Sequence, residues 1–413
     1  MVKQSEVRRK RVSSKASLLI YKLQFLIITT SVASIFVVLG FVLIQSTNKF
    51  LLDFYSKPVV HSPGGKSLSS PFSQPSPIID PASSFVHPLI KPSPNSSDYT
   101  TNNRQLSQEL SYKFYPSSLQ NSQEMQAIVN IVVNHAKSKN LPVQHLSVSL
   151  IEVNSGKTAE YQAEKLRYPA SVVKLFWLVG IYSYFEAGIL QDIEQFFPDL
   201  HKMLKKSDNE AASRLLDSIT NTKSGSKLSL QEYQKWLQKR YSINSFFQKA
   251  GYEGINISQK TFPIPSENMY EPKGKDLQMR GDPKKPTRNK ISTQQTARLM
   301  YEIFTEKAIS AEYSRELQKW LTWDLKSSDW KNIDPNTSFN PIKGFFGESL
   351  PTDIDFASKA GWTSSTRQEV AYINNGKTAY ILAIFAEDRT YAQNWKIFPQ
   401  MSRLVFERMT YNK

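Results

Sequence analysis

Residues Tyr168–Trp177, YPASVVKLFW, decide how this chain is read. They set a serine and a lysine, Ser171 and Lys174, three positions apart at the mouth of an apolar run that continues to about Glu186. Pro169 biases the chain away from helix just before Ser171, so a helix is expected to open there. An all-apolar helix belongs at the centre of a domain rather than on its surface. Lys174 then lies one turn along the same face, about 5–6 Å away between Cβ atoms, at the helix end whose dipole favours negative charge. On these residues alone two readings stay open. Ser171 caps the helix and Lys174 snorkels outward, or an apolar site disfavours the charged amine and lets it take the serine proton. The spacing itself does not choose, because it recurs at Ser46 and Lys49, Ser224 and Lys227, and Ser328 and Lys331.

The elements around this helix predict an α+β fold: an antiparallel sheet flanked by helices, with a helical subdomain, over residues 118–413. The segment LQNSQEMQAIVNIVVNHAKSKN places Ile128, Ile131 and Val132 on one helical stripe. LSVSLIEV, the turn NSGK and TAEYQAE then read as a hairpin. Helices are expected from Ile193 to Lys205, Asn209 to Ile219, Leu230 to Ala250 and Thr293 to Lys307. DFASKAGW, EVAYIN and TAYILAIFAE read as a late antiparallel meander, closed by a helix from about Trp395 to Met409. One sheet with helices packed on it is the simplest assembly of these parts.

The N-terminal third reads differently. The net charge of +16 begins with Lys3, Arg8, Arg9, Lys10, Arg11 and Lys15 against Glu6 alone, in a basic segment 1–22. Residues 23–45, LQFLIITTSVASIFVVLGFVLIQ, carry no charge, and as a helix they are long enough to cross a bilayer core of about 30 Å. Basic residues outnumber the single Lys49 beyond the span, so the expected orientation puts the N-terminus in the cytoplasm and the remainder in the periplasmic or extracytoplasmic space. Residues 46–117 are rich in proline, serine and asparagine and are expected to form a disordered stalk. That topology removes most of the case for a nucleic-acid partner. Zero cysteines exclude thiol nucleophiles and disulfides, five scattered histidines show no metal-ligand spacing, and no phosphate-binding glycine loop is present. No metal or cofactor is expected, and catalysis must rest on hydroxyl, amine and carboxylate groups.

Two further segments carry such groups. In KKSDNEAASRLL, Ser207 and Glu210 fit a capping box, while Ser207 and Asn209 could instead relay a proton and hold a substrate amide, with Asp208 turned inward. In SKAGW, Lys359 either guards a strand edge or supplies charge to an anionic substrate, and Gly361 marks a close backbone approach.

Ser-x-x-Lys, then Ser-Asp-Asn, then a variant of Lys-Thr-Gly, in that order, resembles the motif set of the serine hydrolases that include class A β-lactamases and penicillin-binding proteins. NKISTQQTARLM is similar to the segment after the Ω-loop in the class A branch. The resemblance spans residues 118–413 and implies the same fold. It implies that Ser171 is acylated, that Lys174 is its base, that Ser207 passes the proton to the leaving nitrogen, and that Asn209 contacts the substrate amide. Lys359 would attract a substrate carboxylate, the N–H groups of Ser171 and Trp362 would form the oxyanion hole, and Arg367 would be a second carboxylate anchor.

The chain departs from that pattern in three places. Ala360 stands where a hydroxyl is expected, with Thr363 as the compensating candidate. The Ω-loop segment NMYEPKGKDLQMRGDPKKPTRNK offers Glu271 as the deacylating carboxylate and Glu267 as its substitute, followed by an unusually basic stretch from Lys273 to Lys290. The segment between Lys174 and Ser207 is short. The ranking implied is β-lactam hydrolysis first, D-Ala-D-Ala carboxypeptidase action on peptidoglycan stem peptides second, and a non-catalytic wall-sensing protein third. The oligomeric state is left open.

Overall fold

Strand and helix lie where the hydrophobic period changes, and one seven-stranded sheet gathers the strands from both ends of the sequence. The computed structural model describes Tyr112 and residues 119–333 and 339–410. Contacts divide the chain into two units, Met1–Ser93 and Pro94–Lys413, and every described residue belongs to the second. The basic segment 1–22, the apolar segment 23–45 and, Tyr112 apart, the linker 46–117 lie outside the described residues. Among the described residues no helix is long and apolar enough to cross a membrane.

The strands are β1 (Gln120–Asn121), β2 (Leu146–Glu152), β3 (Lys157–Tyr161), β4 (Thr322–Trp323), β5 (Asp355–Thr363), β6 (Thr366–Asn374) and β7 (Ala379–Ala386). The helices are α1 (Gln123–Ser138), α2 (Val173–Glu186), α3 (Phe197–Lys205), α4 (Asn209–Thr220), α5 (Leu230–Gln248), α6 (Gly274–Arg280), α7 (Thr293–Phe304), α8 (Ala311–Leu321), α9 (Arg389–Gln393) and α10 (Ile397–Thr410). The sheet order is β1-β3-β2-β7-β6-β5-β4, antiparallel except where β1 meets β3. Both hairpins expected from the sequence form, and β2 pairs with β7 along its whole length, which joins the two ends of the domain.

The sheet divides the apolar core in two. One layer packs α1 and α10 with β-strand residues such as Val148, Leu382 and Ile384. The other packs the helical middle, with α2 at its centre against α3, α4 and α8. Every residue of α2 from Val173 to Ser183 is buried, which agrees with its lack of a polar stripe. The helices of the middle are started by their own side chains: Ser229 with Glu232 on α5 and Ser292 with Gln295 on α7 form capping boxes.

Tyr112, assigned by sequence to the stalk, belongs to this core. Its ring packs against Phe246, Phe247 and Tyr252, and its hydroxyl donates to Glu302 Oε2 at 2.7 Å. Tyr252 donates to the same oxygen at 2.8 Å, and Arg298 Nε donates to Oε1 at 2.8 Å. A polar group buried in this way keeps its stability only while its partners are present.

Candidate active site

Ser171 sits in a tight 3-10 turn, Ala170–Val172, that hands the chain to α2 at Val173. The turn is entered through Ala170 at φ 47, a left-handed conformation that costs a residue with a Cβ about 1–2 kcal/mol. Ser171 is not the cap residue of either the turn or the helix, so the capping reading of its hydroxyl does not hold. Lys174 does not snorkel: its exposure is 0%. Its Nζ lies 2.6 Å from Ser207 O, 2.8 Å from Asn209 Oδ1 and 3.5 Å from Ser207 Oγ.

Ser207 is itself at φ 53, and the capping box expected of it with Glu210 does not form. Asp208 caps α4 instead, accepting from the Ala211 N–H at 2.7 Å. This shift of one residue frees the Ser207 hydroxyl, and it turns Asn209, the first residue of α4, toward Lys174. Lys359, 2% exposed on β5, donates to Ala360 O at 2.8 Å and lies 3.3 Å from Ser207 Oγ. The Ser207 hydroxyl is therefore flanked by two buried amines.

Burial pushes the Lys174 amine well below the usual lysine range, and the charge of Lys359 pushes it further, while Asp208 pulls it back. Burial also lowers Lys359, to about 7, with Glu369 as the opposing influence. Two amines so close do not both hold a proton readily. For Lys174 both burial and the neighbouring ammonium act against the proton. A neutral amine has two N–H bonds and a lone pair, and the short contacts to Ser207 O and Asn209 Oδ1 use both hydrogens.

Gly361 explains how β5 meets the Ser171 turn. A Cβ on Gly361 would lie 2.7 Å from Ser171 N, 2.9 Å from Pro169 O and 3.0 Å from Val172 N, closer than side-chain carbons approach backbone. Only glycine lets the strand backbone lie against the turn. Gln368, directly across from Gly361 on β6, is a residue that the sequence reading missed. It is fully buried, donates to Tyr168 O at 2.7 Å and accepts from the Ala386 N–H at 2.7 Å, tying the approach to Ser171 onto two strands. It lies in the polar run Thr366–Glu369, just ahead of the segment EVAYIN expected as strand, so nothing in the sequence singled it out.

The side chains of the remaining candidates are held elsewhere. Arg367 pairs across the sheet with Trp362, on the face that also carries Ala360 and Glu369 and opposite to Lys359. It is fully buried, and its guanidinium donates to Tyr391 O, Gly344 O and Ala392 O at 3.2, 2.8 and 2.8 Å over the ring of Trp395. Buried on the face opposite Lys359 and committed to these backbone oxygens, it is not placed to anchor a substrate carboxylate, and that expectation is corrected. Ala360 is buried in the layer beneath α10. Thr363 is at the end of β5, near the Ser365 hydroxyl at 3.4 Å. Trp362 is 38% exposed, and its indole N–H donates to Ala392 O at 2.8 Å.

A cleft of ≈ 800 Å³ opens beside the site at the Ser207–Asn209 turn, lined by Lys205, Ser207, Asn209, Glu210, Pro263 and Phe339 among others; Ser171, Lys174 and Lys359 are not part of its lining. Neither Ω-loop carboxylate lines it. Glu271 is exposed, with its nearest charge effect on Arg280, and Glu267 faces Lys260 at 3.7 Å. Glu210 does line it, and its Oε1 accepts from the Ser266 N–H at 2.6 Å.

The sequence model of the beta-lactamase enzyme family matches residues 199–409, a range that includes Ser207, Asn209 and Lys359 and begins after Ser171 and Lys174. No curated protein matches the chain. Similar solved structures include a beta-lactamase from Sphaerobacter thermophilus, at 16% identity and TM-score 0.47, covering 69% of this chain and 97% of that one. A representative class A beta-lactamase from Bacteroides cellulosilyticus is similar at 14% identity and TM-score 0.47, covering 70% and 99%. A mutant of PBP-A, solved as an acyl-enzyme complex with penicillin G, is similar at 14% identity and TM-score 0.46, covering 71% and 98%.

Proposed function

Because the chain belongs to the beta-lactamase enzyme family, we propose that its cleft carries out serine acyl transfer through a covalent intermediate on Ser171. The observation that carries this reading is the dry, depressed Lys174 amine, held at 2.6 Å and 2.8 Å by the Ser207 and Asn209 oxygens one helical turn from Ser171. In the proposed step Ser171 Oγ attacks the substrate carbonyl carbon and its proton passes to Lys174 Nζ. The carbonyl C–N bond then breaks, and the departing nitrogen takes a proton through the Ser207 hydroxyl. The Ser171 and Trp362 N–H groups receive the oxyanion, an arrangement supported by the contact of Gly361 with the Ser171 turn. Water completes the cycle by hydrolysing the ester.

The substrate class follows from Lys359, which is proposed to pair with a terminal carboxylate. Penicillins, and peptides ending in D-Ala-D-Ala such as peptidoglycan stems, both present one. The speed of release is the finer question. Fast deacylation needs a carboxylate that activates water, whereas Glu271 is exposed on its loop and Glu267 is exposed and faces Lys260 at 3.7 Å. We therefore rank the penicillin-binding, D-Ala-D-Ala peptidase reading above β-lactam turnover, which reverses the order expected from sequence. Turnover stays as a second reading because Glu210 does line the cleft. The apolar span 23–45 is proposed to hold the domain on the extracytoplasmic face of a membrane, supported by the basic excess before it.

The test is to follow the mass of the full chain in neutral detergent after adding a fluorescent penicillin. A persistent adduct mapping to the Ser171 peptide is the expected result, and a fleeting adduct with product release would favour turnover. No adduct, and no cleavage of a D-Ala-D-Ala-terminated peptide, would overturn both.

A pH profile checks the amine assignments. Two limbs are expected in the acylation rate, one that rises with pH as the depressed Lys174 amine becomes neutral and one that falls near pH 7 as Lys359 loses its charge. A penicillin esterified at its carboxylate should lose the falling limb and keep the rising one. If both compounds share one profile, Lys359 is not the carboxylate partner. The same shift sets a sign for stability. Lys359 is lowered from 10.5 to about 7 on folding, so between these values the unfolded chain binds more protons, and the contribution of Lys359 to stability rises with pH through that window. In Lys359→Met that part of the slope of urea midpoint against pH should disappear.

A further inference from the structure

A second and larger cleft, ≈ 1030 Å³, lies between the α4–α5 connection, α5 and α6, and it shares no lining residue with the first. Its walls are fixed by backbone. The Trp236 indole N–H donates to Lys223 O at 3.1 Å, and the Lys275 N–H donates to Gly225 O at 3.2 Å. Gly274, at φ 53, brings its backbone so close to this connection that a Cβ would stand 1.8 Å from Gly225 O. The concavity is thus set by main chain rather than by side chains free to fill it.

The charges around it do not balance. Its acids are already engaged: Asp217 accepts from Arg240 and Lys260, both at 2.7 Å, and Glu267 faces Lys260 at 3.7 Å. Arg214 on the rim is held by Asp199 at 2.6 Å. Lys223, Lys235, Lys239 and Lys275 also line the cleft, and among the described residues none of the four has an ion-pair partner. Behind them the buried Arg240 makes no hydrogen bond through Nη1, which faces Asp276 Oδ1 at 3.8 Å. Lys235 and Lys239 are one turn apart on the same helix and so repel each other in the empty cleft.

We propose that this cleft binds a chain of phosphate groups, as in a phosphodiester polymer. Lysine ammonium groups act as mobile point charges, a mode of contact suited to successive phosphate oxygens. Four unpaired ammonium groups around one concavity call for several anionic centres in succession. A concave wall of low dielectric concentrates their field on whatever enters it.

The experiment is calorimetric titration of the full chain, in uncharged detergent, with sodium tripolyphosphate at low and at physiological salt. Saturable binding that weakens with salt is expected. The triple variant Lys235→Gln/Lys239→Gln/Lys275→Gln should bind about tenfold more weakly or worse, the combined effect of three lost charge contacts. Its melting curve should match the wild type, and Lys223→Gln alone should give a smaller loss in the same direction. Ser171→Ala should bind as the wild type does, since the two clefts share no residues. Wild-type affinity in the triple variant, or no binding by the wild type, would overturn the proposal. Vesicles of phosphatidylglycerol with phosphatidylcholine form the second arm: binding to them without binding to tripolyphosphate would replace the discrete site with a membrane-facing patch, and would also overturn it.

Discussion

Replacing Lys174 with Met will slow acylation by a fluorescent penicillin by about 10²- to 10⁴-fold, the usual contribution of a positioned general base. Met fills a similar apolar volume, so the core around α2 should close over it. Two acceptors, Ser207 O and Asn209 Oδ1, lose their donor, at a cost of roughly 1–3 kcal/mol each if water cannot reach them. Removal of a buried, strongly depressed amine offsets part of this. A urea midpoint measured beside the rate separates lost chemistry from lost folding. The comparison with Lys359→Met is informative because that variant should weaken binding of carboxylate-bearing substrates more than it slows the chemical step. Acylation of Lys174→Met within tenfold of the wild type, in a folded protein, would remove Lys174 as the base.

Gly361→Ala should be almost as damaging, for a steric reason. The added carbon would stand 2.7 Å from Ser171 N, and neither side can yield cheaply. β5 is paired with β6 along all nine of its residues, and the turn is fixed by Val172 N–H to Pro169 O and by Gln368 at Tyr168 O. Whichever moves, the N–H groups of Ser171 and Trp362 separate, and loss of one oxyanion donor typically costs about 10²- to 10³-fold in rate. The expected readout is a fall in the acylation rate constant with little change in penicillin affinity. Rates within threefold of wild type would refute the oxyanion assignment.

Much of this arrangement could be read from residues in order. The periods of α1, α4 and α7 were legible because each buries a face that its own sequence defines, and the late strands were legible as short segments separated by turn residues, buried on both faces. Where the reading failed, the deciding information lay in register or in distant contacts. The Asp208 cap displaced the expected Ser207 cap by one residue, a choice between adjacent good cap formers that local propensity does not make. Arg367 was assigned to the cleft, yet the tight Thr363-to-Thr366 hairpin puts it across from Trp362 and so on the wrong face of the sheet. Helix α8 was missed because only Ser314, Leu317 and Leu321 are buried along it, a stripe too narrow to stand out. The position of Glu271 depended on how a loop packs, and nothing local to the loop determined it.

Tyr112 has a mechanical consequence. Tension applied to the chain on its N-terminal side reaches Tyr112 before it reaches β1, a two-residue strand that pairs with β3 alone. The tyrosine passes that load through its hydroxyl into Glu302 on α7, and through its ring into Phe246 and Phe247 on α5. It is placed like a cleat on a rope: a pull on the chain ahead of it would be met by α5 and α7, in the layer opposite α1 and α10, before it reached the sheet that carries Lys359 and Gly361.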